Sequence, residues 1–288
     1  MLIEVDNIRY VYKPGSPYET VALEGISLGI SAGEYLAVIG HTGCGKSTLV
    51  QHLNGLYLPT EGSVTVDGIR YSASRKPGRD LRKKVGMVFQ YPEDQLFEET
   101  IFDDIAYAPR NFGLGESQVP ARVREAMEAV GLDFDSLKDR SPFSLSGGQM
   151  RKVAIAGVLA ADPAVLILDE PTAGLDPKGR DEILDQIDRL HDERGITVIL
   201  VSHSMDDVAA RADRVVVMKK GSLEMDGTPR EIFGRRDRLR EIGLDIPSVA
   251  QLMHRLKEEG ADVRTDVLTL EEAEEEILRW RNGVADHV

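Results

Sequence analysis

At 288 residues and 42% hydrophobic, the chain is long enough to bury one large core, and no apolar run approaches the roughly 18 residues of a bilayer-spanning helix. A net charge of −14 argues against general nucleic-acid affinity. The single cysteine, Cys44, makes no internal disulfide, which predicts a reducing, cytosolic setting, and the opening Met1-Leu2-Ile3-Glu4-Val5-Asp6 lacks the basic start and apolar core of a secretion signal.

The charge is uneven. Residues 241–288 hold 12 acidic and 5 basic side chains, half of the net charge. The stretch from Arg70 to Lys84 reverses the sign, with Arg70, Arg75, Lys76, Arg79, Arg82, Lys83 and Lys84 against Asp80 alone. It reads as a solvated loop beside a strand rather than as a nucleic-acid or lipid patch.

In chain order, Leu2 to Val11 predicts a first strand, closed by the turn Lys13-Pro14-Gly15-Ser16-Pro17, and Val21 to Ile30 predicts its antiparallel partner. Glu34 to Ile39 is a buried strand that runs into Gly40-His41-Thr42-Gly43-Cys44-Gly45-Lys46-Ser47-Thr48, a complete phosphate-binding loop. Gly43 and Gly45 let the backbone turn its N–H groups onto phosphate oxygens, where a Cβ would clash or forbid the dihedrals. Lys46 supplies a mobile charge for the β- and γ-phosphates, and the Ser47 hydroxyl is a Mg²⁺ ligand. The helix predicted from Ser47 to Leu53 points its positive end at the anion.

Gly62 to Val66, a tight turn at Asp67-Gly68, and Val85 to Phe89 follow as strand, turn and strand. The middle of the chain then changes character. Ala121 to Val130 is amphipathic at helical spacing, and Gly113, Gly115, Pro120 and Gly131 punctuate a stretch over about 92–145 that reads as a helical insertion, with the helical subdomain taken to about 160. From Ser146 the core pattern returns: a helix over Gln149 to Ala161, an apolar strand over Val165 to Leu168, a helix over Arg180 to Arg194 and an apolar strand over Thr197 to Val201. Continuous apolar strands alternating with helices imply a parallel sheet covered on both faces. Arg214 to Met218 is a last strand before a hairpin turn at Lys220-Gly221. Beyond Thr228 the pattern is helical and acidic, with a helix over Pro247 to Glu259 and a capping box, Thr269 with Glu272, opening another. The expected domains are 1–228 and a small helical appendage, 229–288.

Two further motifs carry chemistry. The strand ending in Leu168-Asp169-Glu170 delivers two carboxylates to the carboxyl edge of the sheet, where ligands of open α/β sheets bind. Asp169 is placed to hold Mg²⁺, directly or through water, and Glu170 to orient and deprotonate an attacking water. Leu145-Ser146-Gly147-Gly148-Gln149 exposes N–H groups at a helix start, a second anion site.

The order of phosphate loop, Leu-Ser-Gly-Gly-Gln turn and paired acids resembles the ATP-binding cassette (ABC) ATPases over about residues 2–228. The resemblance implies an α/β phosphate-loop NTPase fold: a mixed and parallel sheet core, an antiparallel β edge and a helical subdomain, followed here by the α-helical C-terminal appendage. It implies ATP and Mg²⁺ as cofactors and a head-to-tail dimer, each ATP lying between one phosphate loop and the other subunit's Ser146-Gly147-Gly148-Gln149 turn. Tyr12 resembles the aromatic that stacks on adenine, with Tyr10 the second choice. Gln90 resembles the glutamine that touches Mg²⁺ and senses the membrane partner, Asp176 the loop aspartate that communicates across the dimer, and His203 the histidine on the γ-phosphate. On this basis Glu170, His203, Gln90 and Lys46 are the expected catalytic groups, and Ser47, Gln90 and Asp169 the metal ligands.

Finer stretches, Gly40-His41-Thr42-Gly43, Gln51 to Leu56, Phe89 to Phe97 and Gly148 to Gly157, resemble the energy-coupling factor (ECF) ATPases, and Pro171 to Asp176 their second, A-prime type. That implies an ATPase at the cytoplasmic face of the membrane that powers uptake of vitamins or transition-metal ions. Its partners would be a paralogous ATPase, a transmembrane coupling protein and, indirectly, substrate-capture membrane proteins, with no nucleic acid. A homodimeric cobalt or nickel importer ATPase and a soluble non-transport cassette protein are the alternatives. Glu93, Asp94, Glu98 and Glu99 are expected to face arginines of the coupling protein. Cys44, between two loop glycines, is expected close to phosphate and open to thiol reagents.

Overall fold

The computed structural model describes residues 1–285, arranged as two compact units: 1–34 with 47–201, and 35–46 with 202–285. In the first unit, β1 (Ile3–Tyr12) lies between β2 (Thr20–Ile30) and β4 (Glu61–Val66), and β4 pairs with β5 (Ile69–Ser72), giving an antiparallel sheet in the order β2-β1-β4-β5. Its alternating burial marks one face packed and one solvated. The same unit holds β6 (Val85–Val88), β7 (Val165–Asp169) and β8 (Thr197–Val201), parallel neighbours in that order and buried at every position. Continuous burial is why these strands read as unbroken apolar runs.

The fold has the α/β cassette architecture expected from the sequence, and the local differences have physical causes. The basic stretch is mostly ordered: it supplies β5 and the short helix α2 (Arg79–Lys84), held by fully buried Tyr71 and Leu81. Tyr71 has a specific task. Its hydroxyl donates to the carbonyls of His52 and Leu53, the end of α1 (Lys46–Leu53), whose last C=O groups have no partner within the helix. Burial raises the Tyr71 phenol well above its ordinary value, so it stays a donor.

A helix that the sequence pattern left unassigned, α3 (Ile101–Asn111), begins the helical region; Thr100 caps it by accepting from the Asp103 amide, and Ile101 and Ile105 bury one stripe. Pro109 inside it masks the signal, because proline ordinarily breaks a helix interior. Then come α4 (Val119–Ala129), the single turn α5 (Phe134–Leu137), α6 (Gly147–Leu159) and α7 (Pro177–Arg194).

In the second unit, β3 (Tyr35–Gly40) pairs in parallel with β9 (Arg214–Lys219), and β9 in antiparallel with β10 (Ser222–Gly227). Helices α8 (Met205–Arg211), α9 (Pro229–Phe233), α10 (Arg236–Glu241), α11 (Ser248–Glu258) and α12 (Leu270–Ala285) complete it. Ala37 and Ile39 of β3 and Val215 and Val217 of β9 share one core with Ile232, Phe233, Leu239, Ile242 and Ile246. The segment just after residue 228 therefore covers the strand that feeds the phosphate loop. A separate core, with Val249, Met253, Val263, Val267 and Ala273, joins α11 to α12. At the start of α12 the Glu272 amide donates to Thr269 Oγ1, while the Glu272 carboxylate accepts from the Leu268 amide, one residue beyond the expected reciprocal partner.

Replacing Tyr71 with Phe leaves the Leu53 carbonyl without this donor, while the His52 carbonyl keeps the Gly55 amide at 3.0 Å, and should lower unfolding free energy by about 1–3 kcal/mol in urea titration. A Tyr71→Phe protein as stable as the parent would show that water satisfies the Leu53 carbonyl.

Candidate nucleotide and catalytic site

The phosphate loop follows from β3. Six consecutive buried residues carry the chain through the second unit to Gly40, whose φ of 152° and the values of 78° at Gly43 and 108° at Gly45 turn the backbone in ways L side chains rarely adopt. Lys46 is buried, and its ammonium donates to the carbonyls of Gly40 (2.7 Å) and His41 (3.1 Å), curling back over the loop's first turn. His41, Thr42 and Gly43 are exposed. The Cys44 carbonyl accepts from Gly221 of the β9–β10 hairpin at 2.9 Å, so the hairpin braces the loop from behind.

Cys44 itself departs from the expectation. Its side chain is 5% exposed, and burial pushes the thiol up despite the opposing charge of Lys46. A buried, protonated thiol is a weak nucleophile, so the reactive cysteine is corrected to a packing residue whose backbone belongs to the loop.

In the first unit, Ser47 is exposed at the start of α1 and Thr48 is buried, with its hydroxyl 3.1 Å from the Tyr12 hydroxyl. Tyr10 instead stacks on Tyr57, at 5.2 Å between centroids, and meets His52 edge-on, so it belongs to an intramolecular ring cluster. Tyr12 meets Tyr10 and Tyr57 by its edge.

Asp169 is the last, buried residue of β7, and Glu170 follows with a φ of 51°, the left-handed region. Its amide donates to Val201 O at 3.0 Å, its carbonyl accepts from Ala173, and Pro171 disfavours the right-handed helical alternative. Tyr91 shows the same device, a φ of 55° ahead of Pro92, directly after Gln90. The two bends bring the side chains together: Gln90 Nε2 donates to Glu170 Oε2 at 3.2 Å. Backbone conformations of this kind cost on the order of 1–3 kcal/mol and cluster at functional sites.

The Ser146 turn opens α6 with a reciprocal cap. Ser146 Oγ accepts from the Gln149 amide, and Gln149 Oε1 accepts from the Ser146 amide. Ser146, Gly147 and Gln149 are exposed, and a Cβ added at Gly147 or Gly148 would meet nothing, leaving the turn open to an incoming group. Asp176 caps α7 by accepting from the Gly179 amide at 2.8 Å. In the second unit His203 is exposed, just ahead of Ser204, which caps α8.

One residue with a decisive position had been given no role. Arg151 is 2% exposed in α6; its Nε and Nη2 donate to the Glu93 carboxylate at 3.0 and 2.8 Å, and its Nη1 to the carbonyls of Pro171 and Ala173 at 2.9 Å each. Burial alone would push the Glu93 carboxyl up, but the Arg151 hydrogen bonds and charge outweigh it and hold the group below its ordinary value. Glu93 therefore bonds within its own chain, which corrects the expectation that it serves an external arginine. The sequence signal was a lone arginine in an otherwise apolar helix face. Asp94 and Glu99 are exposed, as the surface expectation requires.

Mg²⁺ takes hard oxygen donors and usually keeps waters and substrate phosphates among its ligands. Ser47 Oγ, the Gln90 amide oxygen and the Asp169 carboxylate, all in the first unit, are such donors, and among the described residues no cluster of three or more His, Cys, Asp or Glu is built to cage a metal by itself.

A family model described as ABC transporter matches residues 23–173. An energy-coupling factor transporter ATP-binding protein, EcfA2, of Clostridium perfringens is 53% identical over 278 residues, 96% of this chain and 98% of the relative. The chain belongs to the ECF branch of the ABC ATPases. The EcfA2 protein of Caldanaerobacter subterraneus is 53% identical over 283 residues, 98% of this chain and 99% of that one. Among solved structures, cbiO1 of Clostridium perfringens, described as part of the ABC transporter complex cbiONQ, superposes with a TM-score of 0.73 at 39% identity, covering 88% of this chain and 98% of the other. A dimeric ATP-binding cassette in a post-hydrolysis state with ADP and Pi gives 0.69 at 29% identity, covering 79% and 98%. This ECF ATPase is thus an ATP-hydrolysing enzyme, and its described residues include no helix long and apolar enough to cross a membrane.

Arg151→Ala should slow ATP turnover at least tenfold while changing nucleotide affinity less than twofold, since the lost bonds hold the Glu170 region rather than the loop; steady-state kinetics beside equilibrium nucleotide binding checks this. Cys44 should react with iodoacetamide at pH 7.5 far more slowly than free cysteine in a timed mass-spectrometric assay, and a rate equal to that of the free thiol would contradict its burial.

Proposed function

We propose that this chain is the energy-providing subunit of an ECF importer, hydrolysing Mg-ATP at two sites shared with a second ATPase and driving uptake of a vitamin or a transition-metal ion through a membrane coupling protein. The observation that carries the reading is the Gln90–Glu170 hydrogen bond, which joins a residue expected to touch the metal and sense the membrane partner to the residue expected to activate water.

Each group has a task its chemistry suits. The loop amides and Lys46 bind the β- and γ-phosphates, while Tyr12 offers its ring to adenine. Ser47, Gln90 and Asp169 would hold Mg²⁺, which when bound draws off negative charge from the phosphates. Glu170 accepts a proton from water as the water oxygen bonds to the γ-phosphorus and the bond to the β–γ bridging oxygen breaks, giving ADP and inorganic phosphate. His203 holds a γ-phosphate oxygen, and Asp176 lies on the expected dimer face. Ser146 to Gln149 would close on the nucleotide of the opposite subunit, consistent with their exposure here. The partner ATPase is proposed as a paralogue because the nearly full-length relatives are EcfA2 proteins.

Membrane coupling draws support from a different surface. Phe97 and Tyr107 are 57% and 50% exposed and meet edge-on at 5.0 Å, with the Asp104 carboxylate holding the Phe97 and Glu98 amides in place. Exposed aromatics whose loop is held by one carboxylate suit a docking site, and the proposed peripheral position at the cytoplasmic face rests on such a contact.

Glu170→Gln should bind ATP within twofold of the parent but lose about 10²–10⁴-fold in turnover, the usual contribution of a general base, and should accumulate as a dimer in Mg-ATP on gel filtration. Turnover within a few-fold of the parent would remove Glu170 from that role. Co-expression with a sister ATPase and the coupling protein should yield a stable membrane complex with higher ATP turnover; a tight, fully transport-competent homodimer would favour the single-ATPase arrangement instead.

A further inference from the structure

Within the second unit, the link between α10 and α11 touches the phosphate loop, and nothing in the hydrolytic chemistry requires it to. Helix α10 ends in a Schellman cap: Gly243 N–H donates to Arg240 O and Leu244 N–H to Leu239 O, both at 2.9 Å, with Gly243 at a φ of 72°. A glycine there is ordinary. Less ordinary is its neighbour, because a Cβ added to Gly243 would overlap Nε2 of the exposed His41 and lie 3.1 Å from Cδ2 and 3.4 Å from Cε1, so that the imidazole would have to swing aside. His41 is the second residue of the phosphate loop, and its carbonyl is one of the two on which the Lys46 ammonium rests.

The link is fixed on three sides. Ile242, Leu244 and Ile246 pack in the core that contains Ile39, the residue before Gly40. At its far end the Ser248 amide and hydroxyl both donate to the Asp206 carboxylate, at 2.7 and 2.8 Å, in the first turn of the helix that follows His203. Gln251 Nε2 donates back to Ile246 O at 2.9 Å. A short, rigid segment thus spans from the phosphate loop to the helix behind the γ-phosphate histidine.

We propose that residues 242–248 are a strap that positions the phosphate loop, and that Gly243 is its positioning residue, the missing Cβ leaving an open slot beside the exposed His41 imidazole. The strap ties the C-terminal helices to the nucleotide loop, so that ATP affinity depends on a segment outside every nucleotide motif. This rests on the reading of Gly40 to Lys46 as the ATP loop.

Gly243→Asn separates the slot from the cap, because asparagine tolerates the left-handed conformation yet carries a Cβ. Binding of trinitrophenyl-ATP to the full chain is measured for four proteins: parent, Gly243→Asn, His41→Ala and the double variant. With His41 present, Gly243→Asn should weaken binding at least fivefold; with His41→Ala the same change should alter binding less than twofold, while its effect on thermal melting persists in both backgrounds. Folding of the Asn variant only when His41 is shortened also supports the slot. A change of less than twofold with His41 present, an equal loss in both backgrounds, or failure to fold in both overturns the strap. Absence of binding by the parent would instead overturn the ATP-loop reading.

Discussion

A guanidinium removed from water has to be surrounded by acceptors, since an isolated buried cation is far costlier than a buried hydrocarbon. Arg151 meets that requirement with four hydrogen bonds drawn from two segments distant in the sequence, Glu93 on one and the carbonyls of Pro171 and Ala173 on the other. The helix that carries it begins at the Ser146 turn. Three pieces of the first unit are therefore held by one side chain: the stretch after Gln90, the stretch after Glu170 and the helix that follows the Ser146 turn. Removal of the cation would leave Glu93 and two carbonyls facing one another, so the arrangement tolerates little drift. The guanidinium is suited to this because its planar fork serves a carboxylate with two donors and still has a third for carbonyls; a lysine in its place would offer a point charge.

That fixity matters because the two strained residues flank it. Tyr91 and Glu170 both occupy the left-handed region ahead of a proline, and their bends are what bring Gln90 and Glu170 into hydrogen-bonding range. Strain of this size persists only where surrounding contacts over-determine the backbone. The Arg151 bonds, together with the Glu170 amide on Val201 O, supply that over-determination. Gln90 is thereby joined to Glu170 through one hydrogen bond, a short path from a surface segment to the carboxylate proposed to activate water.

The second unit solves a different problem. A phosphate loop must be firm enough to aim its amides yet carry almost no side-chain bulk of its own. Its firmness comes from neighbours: the Gly221 amide behind Cys44, the Lys46 ammonium across the first turn, and the 242–248 link beside His41. The C-terminal segment earns its place in the ATPase body through this contact and through the shared core with Ile39.

The motifs that carry the family resemblance were legible from residue type and spacing: Gly43, Gly45 and Lys46 in their loop, the acids after Leu168, and Ser146 to Gln149. Buried parallel strands were equally plain, because burial on both faces enforces unbroken apolar runs. Helix α3 was hidden by Pro109, and β5 by its basic neighbours, since a four-residue strand gives too short a pattern to outweigh composition. The chemistry each motif needs is local, fixed by which atoms a few adjacent residues can present, and so the sequence by itself determined the fold class and the ATPase family. Tertiary structure alone decided that Glu93 bonds to Arg151, that Cys44 is buried, and that Gly243 makes room for His41. Those are pairings between residues far apart in the chain, and whether a charge is exposed or paired, or a glycine needed, depends on what folding places beside it.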